Sequence, residues 1–469
     1  MPAMHITGKM MAMAIGKRNK KRQETLWIPT GQIPEAPAHP FYQRLNSILA
    51  KHKFDDFVEE MCAKFYAPKM GRPSLAPGIY FRMLLIGYFE GLDSERGIAW
   101  RTADSLALRD FLGLALTDAA PDHSTVSRTR RLIDVETHQA VFTWVLQRVA
   151  ETGLLKGKSI GIDATTLEAN AALKSIVRRD TGDSYQEFLT KLAKESGIET
   201  PTKEELTRFD RKRSKKGSNG DWTHPHDPDS RITKMKDGST HLAHKTENAV
   251  DLETGVVVGV TVQPADSGDT TTMIETLITA AEQIEAVLPK SQGIQDVVAD
   301  KGYHSTERIT DLQGLGIRSI ISEPKRPRRR WRGDKEAQAA VYANRRRIRS
   351  RHGKALLRLR AERVERPFAH LYETGRMRRT HLRGRHNILK RILIHVSALN
   401  LGYLMRVVCG IGTPRSLQGR CMALCSGLFA KTNAVYTQIV AIFSILELSD
   451  QPVRHFGSCT YYETPLSAF

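Results

Sequence analysis

Between Phe41 and Leu114 apolar positions recur at spacings of three and four, as in Leu45, Ile48 and Leu49 and then Phe54, Phe57, Val58 and Met61. That is the period of amphipathic helices. Gly71-Arg72-Pro73 and Ala76-Pro77-Gly78 interrupt the pattern, and the run from Ile79 to Ile86 predicts a long apolar helix ending near Gly91. The segment PDHSTVSRTRRLI, from Pro121 to Ile133, offers Asp122 or Ser124 as N-cap of a helix carrying Ser127, Arg128, Arg130 and Arg131 on its first turns. Polar and cationic groups at a helix start suit a phosphate backbone, so these four are candidate nucleic-acid contacts, although an ordinary solvated helix has the same pattern.

After a helix around Gln139 to Thr152 the period turns strand-like. Ser159-Ile160-Gly161-Ile162 is a short apolar stretch delivered straight into Asp163. A span rich in Lys, Glu, Ser and Gly follows from about 178 to 238, expected to be an inserted helix with a flexible connector. Thr246–Asp251 and Val256–Gln263, joined by Leu252-Glu253-Thr254-Gly255, predict a hairpin. A helix over Thr270–Ala286, a strand over Gln295–Ala299 leading into Asp300, a helix around Thr306–Leu312 and a strand over Arg318–Ile321 follow. Strand, hairpin, helix, strand, helix, strand is the order of an α/β layer fold with one mixed sheet. Helical patterns then run from Ala355 through Met377 and from Asn387 to Val408, the second with a broad apolar face expected to pack on the sheet.

Charge changes the picture most. The chain has 469 residues, with 71 Lys and Arg against 51 Asp and Glu, a formal net charge of +20. Such an excess favours a polyanionic partner through counterion release. The densest block lies at 324–351, where Arg328, Arg329, Arg330, Arg345, Arg346 and Arg347 surround Trp331, a combination suited to phosphate clamping and base stacking. Five scattered cysteines exclude a disulfide scaffold and point to a reducing cytosol. Residues 1–40 are basic and expected to form a disordered arm. The apolar run Thr432–Leu446 is shorter than the roughly 20 residues that span a bilayer, so no membrane partner is expected.

Asp163 and Asp300 each close a predicted strand. Two carboxylates at neighbouring strand ends repel unless protonated or joined by a cation, and hard oxygen ligands suit Mg²⁺ or Mn²⁺ rather than zinc. A third acid from a helix on the sheet would complete a two-metal phosphoryl-transfer site, and Glu362, Glu365 and Glu373 are on hand. By spacing alone an Asp at a strand end is also an ordinary turn or cap residue.

The phrases GIDATTLEANA, VADKGYHS and RVERPFAHLYETGRMRRTHLRGRHNILKRILIHVSALNLGYLMR resemble the three signature blocks of DDE transposases of bacterial insertion sequences, nearest the IS-five and IS-eleven-eighty-two group. GRPSLAPGIYFRMLLIGYFEGLDSERGIAWRTADSLALRDFLGL and PDHSTVSRTR resemble the helical N-terminal domain of that group, so the likeness extends over roughly Lys69–Arg415. It implies an RNase H-like mixed-sheet catalytic domain over 151–410, preceded by an all-helical DNA-binding domain over 41–150 and followed by a tail over 411–469 without assigned role. It further implies Asp163, Asp300 and, in VERPF, Glu365 as catalytic residues and ligands of two Mg²⁺ ions, with Mn²⁺ as substitute. The implied partners are double-stranded DNA, as terminal inverted repeats and target, and further copies of the chain on that DNA, in a bacterial cytoplasm. The related Tyr-x2-Arg-x3-Glu-x6-Lys pattern falls here on Arg358, Ala361 and Tyr372, which leaves Arg360, Arg363 and Arg366 as substitute phosphate contacts and Glu362 as a rival third acid. The block DPDSRITKMKDGSTHLAHKTENAVD also resembles the family, whereas His224, His226, Asp227 and Asp229 read as a polar loop rather than a metal cluster. A two-metal nuclease without strand transfer and an inactive DNA-binding repressor derived from a transposase are the competing functions.

Overall fold

Local capping sets the boundaries of the leading helices, α1 (Pro40–Lys51), α2 (Phe54–Cys62), α3 (Pro77–Glu90), α4 (Glu95–Asp104), α5 (Leu106–Phe111), α6 (His123–Leu132) and α7 (Val135–Glu151). Proline opens α1 and α3, and the side chains of Ser94, Ser105, Asp122 and Asp134 accept from first-turn amides of α4 to α7. Gly91 stops α3 in left-handed backbone at φ 70°. These elements come from a computed structural model that describes residues 39–67, 74–213, 217–235, 237–325, 331 and 333–417. The basic arm, Arg328, Arg329, Arg330 and the apolar run Thr432–Leu446 lie outside the described residues.

The strands are β1 (Ser159–Glu168), β2 (Val177–Arg178), β3 (Trp222–Thr223), β4 (Arg231–Lys234), β5 (Thr240–Asp251), β6 (Val257–Pro264), β7 (Asp296–Ala299) and β8 (Arg318–Ile321). The later helices are α8 (Tyr185–Glu195), α9 (Lys203–Lys212), α10 (Asp269–Val287), α11 (Thr306–Gly314), α12 (Lys335–Arg349), α13 (Arg351–Arg363), α14 (Glu365–Glu373) and α15 (Arg385–Cys409). The turn and second strand of the β5–β6 hairpin, the strands β7 and β8 and the helices α10 and α11 fall where the hydrophobic pattern expects them. By contrast, β5 starts at Thr240, six residues before the expected Thr246, because Thr240–Ala243 pair with β4, and the basic block at 324–351 folds in part as the helix α12.

One mixed sheet organises the molecule. β5 runs antiparallel to β1 on one side and to β4 and β6 on the other, while β1–β7 and β7–β8 are parallel. α10 covers one face, where Gly259 lets the backbone of Ala280 approach closely. α13, α14 and α15 cover the other: Val364 lies over Gly161, and Asn400 bonds both backbone groups of Val257 at 2.8 and 3.1 Å. α15 also packs on α3 and α7, which explains its apolar composition. It is long and apolar enough to cross a membrane, and most of that apolar stretch is buried inside the protein.

The chain departs from its hydrophobic pattern at two further points. β1 does not end at Asp163 but continues to Glu168, because Ala164–Glu168 pair with Ala243–Glu247 of the long strand β5. Asp163 is therefore a mid-strand residue. The polar span folds as two helices rather than one, α8 and α9, each with a complete capping box, and packs Trp222 against Tyr185 and Phe188.

Candidate active site

The parallel pairing of β1 with β7 matches Ser159 to Asp296, Ile160 to Val297 and Gly161 to Val298. Continued for two residues, past the end of β7 at Ala299, that register would align Asp163 with Asp300, adjacent strands of a sheet lying about 4.8 Å apart. Asp300 caps the short turn after β7 by accepting from Gly302 N at 2.8 Å. Asp163 accepts from Ala164 N at 2.9 Å and meets the guanidinium of Arg360, on α13, at 3.3 Å. Asn248 faces Asp163 across β5, and its fully buried carboxamide has no hydrogen-bond partner. Nothing in the sequence pattern singles out this Asn, because its position follows from a pairing that is non-local.

Val364 anchors the helical pair over this spot: a side-chain carbon on Gly161 would stand 2.5 Å from Val364 Cγ2. Glu365 is the next residue and is exposed at the start of α14. Seven residues further, close to two helical turns, Tyr372 donates its hydroxyl to Thr165 Oγ1 at 2.7 Å, two positions past Asp163 on β1. Glu365 thus shares a helix face with a residue in contact with β1. Glu362 lies on α13, before the break at Val364 that splits the expected single helix, and is exposed and paired with Arg366 at 3.1 Å, while Glu373 pairs with Arg378. The oxygens of Asp163 and Asp300 suit a divalent cation by donor chemistry, and Arg360 meets the same demand for positive charge at Asp163. Among the described residues no three His, Cys, Asp or Glu side chains stand close enough together to hold a metal ion.

The candidate DNA contacts separate into two groups. Arg128, Arg131 and Arg346 are exposed, and Arg366 is exposed apart from its pair with Glu362. Arg130, by contrast, is buried: it pairs with Glu95 of α4, donates to Ser127 Oγ at 3.3 Å, and lends its carbonyl to Lys390 Nζ at 3.0 Å. It ties three helices together and is not a surface cation. Arg345 makes a two-point contact with Glu323 at 2.6 and 2.7 Å, Arg347 holds Ser319 of β8, and Arg363 donates to the Glu253 carbonyl. Trp331 packs near Tyr342 rather than standing alone among arginines.

The His224–Asp229 loop turns out to be structural. Asp227 is fully buried, accepts from His244 Nε2 at 3.0 Å and from Gly384 N at 3.0 Å, while Asp229 accepts from Arg385 N at 3.0 Å. The two aspartates therefore satisfy the first amides of α15, whose own N-cap is a glycine without a side chain to do so.

Two family models match this chain. A transposase domain (DUF772) matches residues 32–132, over the leading helices, and a transposase DDE domain matches residues 181–401, a span that holds Asp300 and Glu365 and begins after Asp163. No curated protein matches. With both models placed in this order over most of its length, the chain belongs to the DDE transposases of insertion sequences and is a transposase acting on DNA.

Proposed function

We propose that this transposase binds the terminal inverted repeats of its element, cleaves the DNA strand there and joins the released 3′-OH to target DNA, with Asp163, Asp300 and Glu365 as its catalytic carboxylates. The observation that carries the reading is the parallel β1–β7 register, which runs toward Asp163 and Asp300 in step although 136 residues separate them in sequence. The helix face shared by Glu365 and Tyr372 supports Glu365 over Glu362 as the third acid. The strand order β6-β5-β1-β7-β8, three antiparallel strands followed by two parallel ones, supports an RNase H-like domain, and the capped helices α1 to α7 support a DNA-binding unit ahead of it.

Transposases with this domain depend on a divalent metal. Mg²⁺, replaceable by Mn²⁺ and bound as two ions by Asp163, Asp300 and Glu365, would offset the charge on the attacking and leaving oxygens. The chain's own groups do the rest. Arg360, beside Asp163, is placed to hold a phosphate oxygen of the scissile strand. Arg128, Arg131, Arg346 and Arg366, with Arg328 to Arg330 from the basic block, follow the DNA backbone without reading bases. Pairing of two element ends needs at least two copies of the chain, and the compartment is the bacterial cytoplasm.

Incubating the full chain with its flanking DNA and Mg²⁺ and mapping the products tests the reading. Cuts confined to the element ends, leaving 3′-OH groups that reappear joined to a second duplex, are expected. Cleavage without joining would reassign the protein as a nuclease, and binding without cleavage as a repressor.

A further inference from the structure

The turn that carries Asp300 is backed by a hydrogen-bonded chain of polar side chains. Tyr303, at the end of the turn and almost fully buried, donates its hydroxyl to Glu247 Oε1 at 2.7 Å. Glu247 is completely buried on β5, opposite Ala164, and also accepts from Thr272 Oγ1 at 2.9 Å and from Thr276 Oγ1, both on α10. Thr272 Oγ1 in turn accepts from Lys245 Nζ at 3.0 Å, and Lys245 reaches Asp269 Oδ1 at 2.6 Å and the Ser267 carbonyl at 3.2 Å. Asp269, at the far end of the chain, lies close to the same turn: a side-chain carbon at Gly302 would stand 2.7 Å from Asp269 Oδ2 and 3.0 Å from Asp300 Oδ1.

Such a network is costly to bury, and packing alone does not call for it. An apolar side chain opposite Ala164 would fill the space between β5 and α10 without desolvating a carboxyl group. Burial pushes the Glu247 carboxyl above its usual range, and burial together with the charges of Glu247, Asp269 and Asp163 raises the Tyr303 phenol. The hydroxyl therefore keeps its proton and stays a donor to Glu247. Every member of the network stands on β5, on α10 or in the turn after β7, β5 pairs with β1 along Asp163, and polar networks that are fully satisfied hold one geometry.

We infer that Glu247 and Tyr303 are positioning residues for strand cleavage, locking the 300–303 turn so that the Asp300 carboxylate is held beside Asp163. The inference rests on the catalytic reading of Asp300 above. Supporting groups of this kind change activity roughly ten- to a hundredfold when removed.

The test uses Tyr303→Phe, Glu247→Gln and Glu247→Leu in the full chain. Hydrogen exchange followed by mass spectrometry should show peptides over 300–304 exchanging faster in Tyr303→Phe, with α15 protected as in wild type. Single-turnover end cleavage should fall by roughly ten- to a hundredfold with DNA affinity unchanged. Glu247→Gln, whose amide oxygen still accepts from Tyr303, should retain more activity than Glu247→Leu. Unchanged exchange over 300–304 together with wild-type cleavage in Tyr303→Phe would overturn the inference. A wild-type chain that fails to cleave its own ends would instead overturn the catalytic reading, whatever the exchange result.

Discussion

At Gly161 the helical layer closely approaches β1, so adding one methyl group there probes how tightly the proposed site is held. In Gly161→Ala the new carbon would stand 2.5 Å from Val364 Cγ2 and 2.6 Å from Leu252 Cδ2, where carbon contacts normally settle at about 3.5–4.0 Å. Both neighbours are fully buried, so the helix must retreat by about 1 Å or the strand must bend. Overpacking of this kind costs about 1–3 kcal/mol. Alanine recovers about 0.5–1 kcal/mol of that by restricting the unfolded chain, which leaves a net loss of roughly 0–2.5 kcal/mol. The functional loss should be larger, because a displacement of about 1 Å between Glu365 and Asp163 is worth roughly a hundredfold in rate. Urea unfolding and single-turnover end cleavage, measured on Gly161→Ala, Val364→Ala and the double variant, test this. Trimming Val364 frees the space, so the double variant should be more stable and more active than the sum of the single changes allows. Strict additivity in both measurements would refute the close approach of the helix to β1.

Two further outcomes follow from other parts of the fold. His138 on α7 is buried between the Tyr80 hydroxyl at 3.0 Å and the Asp134 carbonyl at 2.7 Å, and burial pushes its pKa down to about 3. The folded state therefore favours neutral imidazole while the unfolded chain takes up a proton below about pH 6.5, so stability should fall as pH drops from there toward 3. His138→Gln should lose less stability than wild type between pH 7 and pH 5 in urea titrations, and equal losses would contradict the assignment. Arg346→Ala should lower the slope of log K against log salt for duplex binding by up to about 0.9, whereas Arg130→Ala, which breaks the buried pair with Glu95, should lower the unfolding midpoint and leave the slope alone.

Local chemistry was legible in the sequence and long-range pairing was not. The hairpin turn at Gly255, the Asp122 cap and the strand Arg318–Ile321 depend on neighbours in the chain, and each appears where the pattern expects it. β1 was read too short because its second half, Ala164–Glu168, becomes strand only through pairing with β5. The signals for α8 and α9 were present as Ser184-x-x-Glu187 and Thr202-x-x-Glu205, but the polar composition of the span hid them. Arg130 has the sequence pattern of a phosphate contact because its partner Glu95 lies on a different helix, and nothing local marks Glu247, which only the fold surrounds with α10 and Tyr303. Asp163 and Asp300 were visible as acids after apolar stretches, while the register that runs toward both in step belongs to the sheet.

The central claim is that Asp163, Asp300 and Glu365 act together on DNA. The most direct measurement is single-turnover cleavage of a duplex carrying the element end, run with Asp163→Asn, Asp300→Asn, Glu365→Gln and Glu362→Gln beside wild type, with DNA binding recorded for each. The first three variants should bind the end nearly as wild type does and fail to cut it, because losing a charge at a metal-binding carboxylate removes catalysis before affinity. Glu362→Gln, whose carboxylate makes only an exposed pair with Arg366, should cut within a few-fold of wild type. Cleavage at the wild-type rate by Asp300→Asn or Glu365→Gln would contradict the account.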